Sequence, residues 1–188
     1  TDLDNIPAEA LVPEDEQPYE IPSHWKWVRI ESICKLLSGR DEPLSACNSV
    51  GSGIPYVMGA SNLSDAGLAI ERWIEDPKVV SKRGDLLISV KGTIGKLYIQ
   101  REPELNLSRQ IMAIAPSDLV AVQYLLPCLQ QALQEIQEQA VGLIPGISRA
   151  VLLSLPIPLP PIEEQRALVE KLQVTNQKID DTLERLEQ

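Results

Sequence analysis

Leu155-Pro-Ile-Pro-Leu-Pro-Pro-Ile-Glu-Glu-Gln-Arg-Ala-Leu-Val-Glu-Lys-Leu172 divides the chain into two kinds of structure. Leu155–Leu159 reads as a short apolar strand. Pro160-Pro161 limits the path that follows, and Pro161 suits the first position of a helix, where a missing N–H costs nothing. From there apolar residues recur every seven. Ile162, Val169, Asn176 and Leu183 form one row, and Gln165, Leu172, Ile179 and Leu186 form the other. Six of these eight positions are aliphatic, which is the seam of a coiled coil, and Asn176 would set its register. A helix of this length reaches roughly 40 Å at about 1.5 Å per residue. Left alone it would expose its stripe, so a partner helix is expected. An amphipathic helix packed on its own body is the competing reading. Everything before the joint reads as a globular body.

The body mixes the two periods. Ile54–Ala60, Leu68–Ile74, Leu86–Val90, Gly95–Gln100 and Ile111–Ala115 read as strands. Trp25, Trp27 and Val28 or Ile30 suggest a turn entering another. Gly92-Thr-Ile-Gly95 reads as a hairpin turn and Lys82–Asp85 as a second turn. Ser32–Leu37 reads as one or two helical turns. Val122, Leu125, Leu126, Leu129, Leu133, Ile136 and Ala140 fall on helical spacing, with Ser117 or Asp118 as cap, Gly142 as stop and Pro127 as a kink or break. Ala150–Ser154 reads as a short helix. No βαβ unit repeats, so the fold class is α+β: a globular domain with a mixed or antiparallel sheet, followed by a long C-terminal coiled-coil helix. Residues 1–20, with three prolines and an acidic run, read as a leader or linker ordered by packing on the body.

Composition narrows the function. Hydrophobic residues make up 44% of the 188, enough for a core, yet aromatics are only 4% and Phe is absent, so Leu, Ile and Val must fill it. No apolar run is long enough to span a bilayer, and no signal peptide is evident. Three cysteines and one histidine lack metal spacing, which leaves neither a zinc site nor a disulfide framework and suits a reducing cytoplasm. The net charge of −10 argues against nucleic acid taken whole. It is concentrated at the ends, however. Residues 1–20 hold seven acids and no base, residues 161–188 hold seven acids and four bases, and the body between is neutral. Within it, residues 72–109 carry eight bases against five acids, a face open to a polyanion. The same charges also suit an ordinary solvated surface.

Catalytic patterns are missing. Gly92-Thr-Ile-Gly-Lys96 fails the spacing of a phosphate-binding loop. Glu163 and Glu164 sit in a helix's first turn, where acids offset the positive terminus. One histidine in a Pro-Ser-His-Trp turn gives no support for a Ser-His-Asp site. The chemistry points to binding or scaffolding.

The ordered set Ile-Pro-Ser-His-Trp-Lys-Trp-Val-Arg-Ile (21–30), Gly-Ile-Pro-Tyr-Val (53–57), Lys-Arg-Gly-Asp-Leu-Leu-Ile-Ser (82–89), Gly-Thr-Ile-Gly-Lys (92–96) and Ile-Pro-Leu-Pro-Pro-Ile-Glu-Glu-Gln (157–165) resembles one half of a type I restriction–modification specificity subunit. The usual subunit has two such halves in tandem. The resemblance implies a target recognition domain over 21–160, reading one half of a bipartite duplex site. Residues 161–188 would be a spacer helix that pairs with a second one, from a second copy or a second half, and helps dock methyltransferase and restriction subunits. The chain would be non-catalytic and hold no cofactor, with methyl donor and ATP on partner subunits. Base edges would then be read by polar loop residues, for which the candidates are Arg40, Ser61, Asn62, Lys91, Thr93, Lys96, Ser108, Arg109, Gln110 and Arg149. The alternative is a coiled-coil interaction or oligomerisation protein with no DNA-reading role.

Overall fold

β1 (Lys26–Arg29) runs into a single helical turn, α1 (Ile30–Ile33), and straight on into β2 (Cys34–Ser38). The computed structural model describes residues 2–139 and 146–186. The helix expected over Ser32–Leu37 is therefore mostly strand. Over so short a run the apolar spacing fits both periods, and tertiary pairing decides between them. Next come β3 (Cys47–Asn48) and β4 (Ile54–Val57), then the small hairpin β5 (Leu63–Ser64) and β6 (Gly67–Leu68). β7 (Trp73–Ile74) and β8 (Val80–Lys82) follow, so the strand expected over Leu68–Ile74 survives only at its two ends. β9 (Leu86–Ser89) and β10 (Leu97–Ile99) pair as an antiparallel hairpin across the expected glycine turn. β11 (Glu104–Leu107), hidden in the sequence by its polar residues, leads to β12 (Ile111–Pro116).

Two sheets result. One is antiparallel, in the order β10-β9-β12-β2; the other is mixed, in the order β3-β7-β4-β11-β8, with β11 parallel to β4. β9 lies between two apolar clusters and is covered on both sides. Leu86 and Ile88 join the larger cluster while Leu87 joins the smaller, with Val57, Leu105 and Leu107. That double burial is why this strand reads as an unbroken apolar run.

The larger cluster is closed by α2 (Val122–Gln139) and α3 (Arg149–Ser154). Pro127 lies inside α2 without ending it. Ser117 closes a turn ahead of the helix and does not cap it; its carbonyl accepts from Val120 N. Ala140 and Gly142 lie outside the described residues. β13 (Pro156–Leu159) returns antiparallel to β1, with Lys26 opposite Leu159 and Arg29 opposite Pro156. α4 (Ile162–Leu186) then begins one residue later than expected, because Pro161 caps it, its carbonyl accepting from Glu164 N and Gln165 N. The N-terminal segment lies against this same ribbon. Leu3 joins the larger cluster and Val12 is buried; Val12 N donates to Trp27 O, and Trp27 Nε1 donates to Tyr19 O.

Burial separates the three thiols. It pushes Cys34 up to about 12 and Cys128 up to about 11, and raises Cys47 as well. Thiolate is the reactive form, so a raised pKa keeps a thiol protonated and inert until the pH climbs towards it. Cys47 is half-buried and Cys34 buried. Timed alkylation followed by mass spectrometry at about pH 8 is expected to modify Cys47 first, with Cys34 and Cys128 at least about tenfold slower. Equal rates for all three would contradict this packing.

Candidate nucleic-acid interface

The turn between β11 and β12 organises one end of the body. Ser108 Oγ donates to Met58 O at 2.6 Å, and Ser108 O accepts from Ile111 N at 3.0 Å. Gln110 O accepts from Val90 N at 2.8 Å. The exit of β2 is stitched to the same turn, with Gly39 N donating to Ile111 O at 3.1 Å and Arg40 N to Leu107 O at 2.8 Å. Here a glycine is required. A Cβ at position 39 would lie 1.9 Å from Ser108 O and 2.7 Å from Ile111 O. Gln110 Oε1 lies over Gly59, where a Cβ would come within 2.7 Å of it, and beside Gly92, at 3.7 Å from the corresponding point. Val90 O accepts from Ile147 N, which brings in the segment before α3. Five segments distant in sequence thus converge around Gln110: residues 38–42, 58–62, 90–93, 108–110 and 146–149.

Seven of the ten sequence candidates stand exposed on these segments: Arg40, Ser61, Lys91, Thr93, Arg109, Gln110 and Arg149; Lys96, in the turn between β9 and β10, is exposed as well. Arg109 is held in place by Asp41, with Nε 2.8 Å from Oδ2 and its backbone N donating to Oδ1 at 3.1 Å. Four of the ten tie the framework together: two are buried, and two, Lys96 and Arg149, do so through the tips of exposed side chains. Asn62 is buried; its Oδ1 accepts from Met58 N and Gly59 N, and its Nδ2 donates to Ala69 O. Ser108 is likewise buried. Lys96 Nζ donates to Leu63 O at 3.2 Å, and Arg149 Nη1 to Leu36 O at 2.7 Å. Their polarity marks where loops are tied, a role that residue type alone does not distinguish from ligand contact. Sequence reading missed Asp41 and Tyr56. The Tyr56 hydroxyl accepts from Glu42 N at 3.0 Å and steadies the 40–42 loop, while burial pushes its phenol pKa up. Among the described residues, no His, Cys, Asp and Glu gather in a group able to hold a metal, and no helix is long and apolar enough to cross a membrane.

The root of α4 is fastened to this body. Gln165 is fully buried; its Nε2 donates to Leu119 O at 2.8 Å and Pro160 O at 2.9 Å, and its Oε1 accepts from Ala121 N at 2.9 Å. Heptad spacing placed Gln165 in a seam between helices, but its side chain is spent within the chain. Glu164 faces the entry turn, 2.9 Å from His24 Nε2 and accepting from Trp25 Nε1 at 3.1 Å. The His24 bond chiefly holds its carboxyl below the usual range.

Residues 22–188 match the family model described as the type I restriction modification DNA specificity domain. The chain belongs to that family. It is 26% identical over 170 residues to the EcoDI type I restriction enzyme specificity subunit of Escherichia coli, covering 90% of this chain and 35% of that protein. With the MjaVIII specificity subunit of Methanocaldococcus jannaschii it shares 28% identity over 185 residues, covering 88% of this chain and 41% of that one. The chain thus spans about two fifths of the length of these curated relatives. Its fold matches the HsdS subunit from Thermoanaerobacter tengcongensis at a TM-score of 0.78 and 29% identity, over 93% of this chain and 42% of that one. A chain from a structure of type I R-M complex assembly and conformational transition matches at 0.80 and 28%, over 93% and 43%.

In this specificity domain the seam changes character along α4. Ile162 and Val169 are half-buried near the body, and Val169 packs on the larger cluster. Beyond them Leu172, Ile179 and Leu183 are each about half exposed, Leu186 is 78% exposed, and Asn176 is exposed among them. The apolar stripe therefore divides into a root that its own body covers and an uncovered outer part.

Proposed function

We propose that this chain is a non-catalytic reader of duplex DNA, recognising one half of a bipartite site through the surface around Gln110. The observation that supports this best is the convergence of exposed Arg40, Lys91 and Arg109 with Ser61, Thr93 and Gln110, on four loops of a chain whose overall charge is −10. Cations position a phosphate backbone, and amides and hydroxyls read base edges. In this reading residues 21–160 form the recognition domain, and residues 161–188 pair with a second such helix to set the distance between half-sites. That helix also helps to dock methyltransferase and restriction subunits, which supply methyl donor and ATP. Residues 1–20 are an acidic leader or linker, with Leu11 and Val12 paired to β1. The compartment that follows is the cytoplasm, where duplex DNA lies.

A second reading, an oligomerisation protein without a DNA role, is favoured by one observation, the uncovered apolar stripe from Leu172 to Leu186. Binding of the chain, assembled with methyltransferase subunits, to duplexes of varied sequence and at varied salt separates the two. For Arg109→Ala we expect weaker binding to all sequences and a salt slope smaller by about 1, while Gln110→Ala relaxes preference at one or two base pairs by about 1–3 kcal/mol. An assembled complex with no sequence preference and no salt dependence would leave the second reading standing.

A further inference from the structure

We infer that Glu164 and Gln165 together form the joint that sets the direction in which α4 leaves the body, and that they act as positioning residues for half-site spacing. This rests on the reading in which α4 spaces two half-sites, and adds to it what aims the spacer.

Consecutive helical residues point about 100° apart. Gln165 is therefore bonded on one side of α4, to the start of α2 through Leu119 and Ala121 and to the elbow through Pro160. Glu164 is bonded on another side, to His24 and Trp25 of the turn that leads into β1. One such fastening would leave a hinge, whereas two at a wide angle oppose tilting in both directions. The apolar contacts of Leu168 and Val169 permit sliding; hydrogen bonds are directional and do not. Past residue 170 every described residue of α4 is exposed, so among the described residues no buried contact further along the helix corrects an error made at the root. The lever is long. The 25 residues of α4 span about 37 Å, so a swing of about 5° moves the tip by about 3 Å. That is close to the rise of one base pair, about 3.4 Å. Glu163 provides an internal contrast, for it pairs with Arg166 on the helix surface and touches neither fastening.

The test uses the chain assembled with its methyltransferase subunits and a library of duplexes in which the separation between half-sites varies. For Glu164→Ala we expect the ratio of methylation at the preferred spacing to that one base pair away to fall about tenfold, given how steeply rate depends on placement. Half-site base preference and melting temperature stay as in the parent. Glu164→Gln restores most of the ratio, since an amide oxygen can accept from Trp25 Nε1 and an amide N–H can reach His24. Glu163→Ala leaves it unchanged. A folded Glu164→Ala chain with the parental spacing ratio would overturn the inference. If the parent complex shows no half-site preference, the functional reading fails, and the joint is judged by distance alone. Spin labels on Asp65→Cys and Glu184→Cys, with Cys47→Ser, are then expected to give a broader distance distribution in Glu164→Ala than in the parent. An equal width overturns the joint.

Discussion

Replacing Gly39 by alanine is expected to lower the melting temperature by about 6–12 °C and to abolish sequence-selective methylation by the assembled complex. The new Cβ would fall 1.9 Å from Ser108 O and 2.7 Å from Ile111 O. Both are backbone atoms, so no side-chain rotation relieves the overlap. The exit of β2 must separate from the 108–111 turn, which breaks the bonds from Gly39 N to Ile111 O and from Arg40 N to Leu107 O. Forced overpacking against backbone costs about 3 kcal/mol or more, and about 2–4 °C per kcal/mol applies to a chain of this size. Arg40 and Arg109 sit on the two displaced segments, so the surface is lost along with stability. Gly51→Ala is the control. A Cβ there meets nothing within 4 Å, and only its positive φ of 83° is penalised, at about 1 kcal/mol. Thermal melts of the two variants by circular dichroism, with methylation mapping, decide the matter. A Gly39→Ala chain melting within about 2 °C of the parent would show that the crossing has slack.

The second large effect concerns the outer part of α4. Ile179→Asp combined with Leu183→Asp is expected to weaken helix pairing at least a hundredfold while leaving the melting of the body unchanged. Both side chains are about half exposed and neither joins the body's apolar clusters. In a paired seam each carboxylate would be desolvated without a partner, costing more than about 2 kcal/mol apiece, and about 1.4 kcal/mol is a factor of ten in affinity. Because Gln165 is committed inside the chain and Val169 packs on the body, pairing is expected from Leu172 outward, with Asn176 fixing the register. Sedimentation of the chain at micromolar concentration, alone and with methyltransferase subunits, reads the loss. Undiminished association in the double variant would remove the coiled-coil reading.

Much of the fold can be read from residue patterns because those patterns are local. Leu86–Val90 shows its burial on both faces by run length, and the heptads after Pro161 show a helix with an apolar stripe. β11 escapes because Asn106, although in a strand, turns its side-chain oxygen to the backbone of Lys78 and Val79, a use invisible from residue type. β2 escapes because its pairing with β12 outweighs a spacing that suits a helix equally well. At the candidate interface the sequence supplies a list of polar loop residues but not their division. Arg109 and Gln110 face outward, whereas Asn62 and Ser108, of similar chemistry, tie loops together.

What the sequence determined by itself is the α+β body, the proline elbow, the amphipathic rod and the family resemblance, since each rests on residue order within a short stretch. The tertiary structure decided which polar residues face outward, why Gly39 must lack a side chain, and where the rod stops packing on its own body. It also gave the adjacent Glu163 and Glu164 separate roles. To the sequence both are acids at a helix start; in space Glu164 meets His24 and Trp25, some 140 residues away along the chain, while Glu163 meets only its own helix. The physical reason is common to all of these. A contact between distant segments depends on how the chain closes upon itself, and no periodicity within either segment records its partner.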